Sequence, residues 1–181
     1  MAPPNITFRP LITADLPRIR DIDRSERIDA LYVQHGTQLE KIAGDFSSPN
    51  WEAEGTGEHS FAAHQAHVES LIATGGAALG AFDNDRLVGI GIVVPHLRPG
   101  IAQLAYLHVS NGYRAAGIGK RLSMDLDRMA VEGGDSEIVV SATPSQNTVR
   151  FYMARGYKPM AEPFPELFEL EPEDIHLHKQ L

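Results

Sequence analysis

The run Arg114-Ala115-Ala116-Gly117-Ile118-Gly119-Lys120 lies between an apolar, strand-like segment and an amphipathic one. A strand has to enter this turn and a helix has to leave it, so the chain alternates strands and helices around a sheet. With little or no side chain at the glycines, backbone N–H groups can face an anion, and the helix dipole adds partial positive charge. Arg114, Lys120 and Arg121 concentrate further positive charge there. A short Gly-x-Gly turn by itself often only joins two elements, so its surroundings decide its meaning.

Those surroundings read as a mixed α/β sheet with helices on both faces. Ile6–Pro10 alternates as a strand, and Thr13 is placed to cap a helix with Leu16, Ile19 and Ile22 on one face. Residues 24–40 read as helix or irregular helix, with Ile28, Leu31 and Tyr32 on one side. Residues 44–59 turn polar and read as a loop or a lid. A helix over 61–73 stops at Gly75-Gly76. Strands are expected over 77–82, 87–94 and 103–109, with Asp83–Arg86 as a hairpin turn. The helix 117–132 buries Ile118, Leu122, Leu126 and Met129. The apolar strand 137–142, a short helix from Ser145 to Arg155 and late strands complete the chain. Gly89-Ile90-Gly91 sits inside a strand and so reads as close packing, not as a dinucleotide fingerprint.

Composition bounds the function. The 181 residues fit one domain, and a hydrophobic fraction of 43% suits a single sizeable core. The absence of cysteine excludes disulfides, thiolate metal sites and a cysteine nucleophile. A net charge of −8 argues against broad nucleic-acid binding and is compatible with a cationic acceptor such as an amine. No leader and no apolar run of membrane-spanning length is visible, so a cytoplasmic protein with no membrane partner is expected. His59, His64 and His67 lack supporting ligands and read as surface histidines, as do His176 and His178; no metal is expected.

Leu104-Ala105-Tyr106-Leu107-His108-Val109, then Arg114-x-x-Gly117-x-Gly119, then Phe151-Tyr152-x-x-x-Gly156-Tyr157 resembles the GNAT superfamily of acetyl-coenzyme A dependent N-acetyltransferases. The resemblance covers about 77–159; residues 24–60 match nothing specific and correspond to the variable acceptor side. It implies a mostly antiparallel central sheet with a splayed pair of central strands, here those ending at Val109 and spanning 137–142. Acetyl-coenzyme A is the implied co-substrate, its pantetheine arm pairing with the exposed strand edge like an added strand. Its pyrophosphate would lie on Ala115, Ala116, Gly117, Ile118, Gly119 and Lys120, with Arg114 and Arg121 beside it.

The resemblance also implies that the thioester carbonyl lies near Leu107, His108 and Val109, where a backbone N–H stabilises the developing oxyanion. Tyr152 occupies the position of the usual proton donor to the leaving thiolate. Two positions depart from the pattern. Ser145 stands seven residues before Tyr152, where many members have asparagine, with Asn147 nearby as a pantetheine contact. Gln103 stands six residues before Val109, where some members carry a general-base glutamate. His108 borders the expected reaction centre and is the candidate base. Glu26, Tyr32 and Trp51 are candidates for the acceptor pocket. The expected acceptor is a small-molecule or peptide amine, and the late segment is a plausible homodimer interface. A non-catalytic acyl-coenzyme A binding module is the competing reading.

Overall fold

The computed structural model describes residues 5–181. Its strands and helices, in chain order, begin with β1 (Ile6–Pro10), β2 (Glu26–His35), β3 (Gln38–Ser48), α1 (Phe61–Ala73), β4 (Ala77–Asp83) and β5 (Arg86–Arg98). They continue with β6 (Ile101–Val109), α2 (Ile118–Glu132), β7 (Glu137–Ala142), α3 (Gln146–Met153), β8 (Lys158–Pro159), α4 (Pro165–Leu170) and β9 (Ile175–Gln180). Seven strands form one sheet in the order β1-β4-β5-β6-β7-β9-β8. Its pairings are antiparallel except β6 with β7, which run parallel.

Two apolar layers cover the sheet. On one face Leu122 and Leu126 of α2, both fully buried, pack on β5 together with Val149 and Tyr152 of α3. Burial of this kind stabilises by roughly 2 kcal/mol per leucine. The close approach depends on Gly89 and Gly91, where an added Cβ would stand 2.9 Å from Ile118 Cγ2 and 2.7 Å from Leu126 Cδ1. On the opposite face α1 contributes Phe61 and Val68 to a cluster with Trp51, Ile90, Ile92 and Tyr106. Among the described residues no helix is long and apolar enough to cross a membrane.

Residues 24–40 are not helical. β2 and β3 form a separate antiparallel hairpin closed by Gly36-Thr37, with Gly36 at φ +60° as a two-residue hairpin turn requires. Ile28, Leu31 and Tyr32 fit helical spacing, but Ile28 and Ala30 are the buried pair, and that alternation is the period the chain adopts. β3 also takes the first residues of the expected loop, which starts only at Pro49. The segment Thr13–Asp21 is a 3-10 helix containing Pro17, and Thr13 does not cap it. Asp15 instead accepts a hydrogen bond from the Ile12 N–H at 3.0 Å and pairs with Arg9 at 2.6 Å.

His176 and His178 are not exposed. β9 lies between β7 and β8, and His176 is 1% exposed beneath the hairpin. Gln34 of β2 accepts from the His176 N–H at 2.7 Å and donates to the carbonyls of Met160 and His176. His178 is half-buried and paired with Glu137 at 2.7 Å.

Candidate active site

β6 and β7 are paired only at Ile101–Gln103 with Glu137–Val139. Beyond that they diverge, and the facing edges of Leu104–Val109 and Val140–Ala142 line a cavity of about 800 Å³. The cause lies in β6. Its register with β5 steps from Ile92↔Tyr106 to Val93↔Leu104, leaving Ala105 as an extra residue. A bulge of this type bends the strand and increases its twist. It also shifts the side-chain alternation, so Leu107 and Val109 pack toward α2 while Tyr106 lies among the residues on the α1 side.

At the end of β6 the chain enters the glycine turn. Ala115 has φ +64° and Gly117 φ +80°, and no side chain caps the first turn of α2. The free N–H groups of a helix start are thus presented at the cavity wall, which Ala115, Gly117, Ile118, Gly119 and Lys120 line. A Cβ on Gly119 would stand 3.1 Å from the ring of Phe151, which brings the turn against α3. A diverged strand edge ending at an uncapped helix start fits a long ligand with an extended, amide-bearing arm and an anionic end.

Arg114 reaches the cavity, but its guanidinium donates to the carbonyls of Val109, Ser25 and Arg24 at 3.1 to 3.2 Å. It therefore fastens the segment before β2 to the end of β6. Asn147 donates to Glu26 at 2.7 Å, so these two lining residues hold each other. Ala116 and Arg121 do not line the cavity; Arg121 pairs with Asp125 at 2.7 Å and lies over Phe8. Tyr32 lines a second, smaller cavity under the hairpin.

Tyr152 lines the same cavity from α3, buried edge-on against Phe151 and Tyr157. Burial, chiefly, pushes its hydroxyl pKa upward, with a further push from Asp174, so it stays protonated at working pH. Asp174, also on the wall, is raised to about 7, first by burial and then by Glu171.

His108 faces the opposite side of β6 from Leu107. Its ring lies 4.7 Å from that of Tyr106 and 5.3 Å from that of Trp51. Burial first, then the neighbouring His64, Arg24 and Arg114, lower its pKa to about 3, which leaves it neutral. His64 is not a surface residue. It packs 4.4 Å from the Trp51 ring, with Nδ1 3.4 Å from the Tyr106 hydroxyl, and is lowered to about 4 by burial and by Arg24, His67 and His59. His59 and His67 line the cavity too. Trp51 is 3% exposed and stands behind these rings, off the cavity surface. The spacing of His64 and His67 on one helical turn was visible in the sequence; that Tyr106 would meet both and Trp51 would pack on His64 was not. No group of three or more acidic or histidine side chains is placed to hold a metal among the described residues.

A family model described as an acetyltransferase (GNAT) domain matches residues 49–166. The chain belongs to the GNAT acetyltransferase family. At the level of sequence no curated protein matches this GNAT chain. Its fold is similar to that of nourseothricin acetyltransferase, at a TM-score of 0.73 and 13% identity over 97% of this chain and 98% of that one. It is also similar to a protein of Bacillus anthracis str. Ames in complex with acetyl coenzyme A, at 0.72 and 18% over 98% and 99%. PaiA N-acetyltransferase from Thermoplasma acidophilum, in complex with coenzyme A, superposes at 0.63 and 16% over 98% and 99%. At these low identities, what the chain shares with the three structures is the fold.

Proposed function

We propose that this acetyltransferase moves an acetyl group from acetyl-coenzyme A to a primary amine by direct attack within a ternary complex. The whole chain would act as one catalytic domain, with residues 24–60 forming the acceptor side. The observation that carries this reading is the single cavity in which the diverged β6 edge, the uncapped start of α2, Tyr152 and His108 all meet.

The main chain of Leu107–Val109 pairs with the pantetheine arm and offers an N–H to the developing oxyanion. Ala115–Lys120 hold the pyrophosphate through their N–H groups. Arg114 acts by position, since its guanidinium is committed to three carbonyls. In the transfer the amine nitrogen bonds to the carbonyl carbon and the carbon–sulfur bond breaks. The proton lost by the amine passes by way of neutral His108 to water. The departing thiolate takes one from Tyr152, and the tyrosine regains its proton from water, so that both side chains end as they began.

The test is coenzyme A release across a panel of amines, for wild type, Tyr152→Phe and His108→Gln, beside calorimetry with acetyl-coenzyme A. Tyr152→Phe is expected to lower kcat by at least about tenfold while acetyl-coenzyme A binding is kept. Binding without turnover of any amine would replace this reading with that of a binding module. Loss of donor binding in the wild type would end it altogether.

A further inference from the structure

Arg24 carries a charge that nothing in the cavity matches. Its N–H donates to Asn50 Oδ1 and its Nε to the Pro49 carbonyl, both at 3.1 Å, and the guanidinium lies 5.8 Å from the Trp51 ring centre. It is thus held from the backbone side and the ring side at the wall of the cavity, which it lines. Among the described residues no carboxylate lies within ion-pair distance of it. The nearby acids are otherwise placed: Glu26 binds Asn147 and stands 3.9 Å from Arg114, while Glu58 is exposed at the rim.

Partial burial lowers the pKa of Arg24, which records what holding this cation away from water costs without a counter-charge. The side chains beside it are neutral: His64, Tyr106 and His108 all register its field. A planar guanidinium fork over an aromatic wall matches a carboxylate, and matches it better than a lone ammonium would. A polycationic acceptor would place like charge next to it.

We propose that Arg24 receives a carboxylate of the acceptor, so that the amine acetylated is one that carries a carboxylate, such as an amino acid. This rests on the acetyl-transfer reading of the same cavity.

The test uses L-amino acids of acidic, basic, aliphatic and aromatic type, each beside its carboxamide and its decarboxylated amine, with wild type, Arg24→Gln and Arg24→Lys. Acetyl-transfer kinetics are read together with calorimetric binding to the coenzyme A-loaded protein. For at least one amino acid, kcat/KM should exceed that of its carboxamide by at least about tenfold. That preference should collapse in Arg24→Gln and survive in part in Arg24→Lys, with acetyl-coenzyme A affinity unchanged, which also shows that the variants are folded. Amides or polyamines used as well as acids, or a preference that persists in Arg24→Gln, would overturn the proposal. So would a loss of acetyl-coenzyme A affinity in Arg24→Gln, which would assign Arg24 to a donor phosphate. Acids that bind through Arg24 without being acetylated would keep the carboxylate site and remove the acetyl-transfer reading. Acids that neither bind nor react would remove the site.

Discussion

Asp15 shows how one carboxylate can hold a chain turn and report on pH. It is 4% exposed, accepts from Arg9 at 2.6 and 2.8 Å, and accepts from the Ile12 N–H. The hydrogen bond from Arg9, ahead of the other influences, lowers its pKa from 3.8 to about 2. A carboxylate held below its unfolded value stabilises the fold at pH above that value. The contribution fades as pH falls through the folded value, here between about 4 and 2. The shift corresponds to stabilisation on the order of 2 kcal/mol at neutral pH. Asp15→Asn is therefore expected to unfold at lower denaturant concentration at pH 7 and to lose part of the wild type's decline in stability between pH 4 and 2. Equal pH slopes in the two proteins would show that Asp15 carries no such linkage. The sequence alone suggested Thr13 for the capping role, since a hydroxyl before an apolar run is the ordinary signal. It did not show that Arg9 would reach back from the strand and fix Asp15 instead.

At the scale of elements, the approach of α2 to β5 sets where the glycine turn lies. Ile118 is the first residue of α2 and the atom nearest to a Cβ on Gly89. Gly89→Val would overpack that contact at a cost of roughly 1–3 kcal/mol and displace the start of the helix. The expected result is a lower denaturant midpoint together with weaker acetyl-coenzyme A binding by calorimetry. Gly112→Ala, with open space around the added Cβ, should change neither. A stability loss with unchanged binding would separate the helix packing from the cradle. This part of the molecule was legible in the sequence because each element carries one signal: β4, β5 and β7 are apolar runs, β6 alternates, and α2 has one buried stripe. Residues 24–48 were not, since Ile28, Leu31 and Tyr32 fit helical spacing while only Ile28 and Ala30 of β2 mark the alternation that is adopted. Gly36-Thr37, placed between two runs of similar length, was the one signal of a hairpin. The glycine turn and the strand that leads into it were visible in the motif, whereas the opposite wall of the cavity depends on that hairpin and on rings that only the fold brings together.

At the scale of the whole molecule the two halves of the cavity hang on different supports. The half proposed to hold the donor is built by the seven-stranded sheet with α2 and α3. The half proposed for the acceptor includes Arg24, Glu26 and Ile28, at or just before the start of a hairpin that belongs to no other sheet. The hairpin is tied down by Tyr32 donating to the Pro144 carbonyl at 2.8 Å and by the amide of Gln34 bridging to His176 and Met160. Removing that amide leaves the buried His176 N–H without its acceptor, at a cost of about 1–3 kcal/mol. Gln34→Leu is therefore expected to lower stability and loosen the hairpin. Its effect on catalysis should be divided in the same way as the supports. KM for the amine should rise several-fold, while calorimetric affinity for acetyl-coenzyme A stays as in the wild type. If donor affinity fell in parallel with acceptor KM, the hairpin would be part of one rigid body with the sheet. The two substrates would then meet a single site, not two independently supported walls.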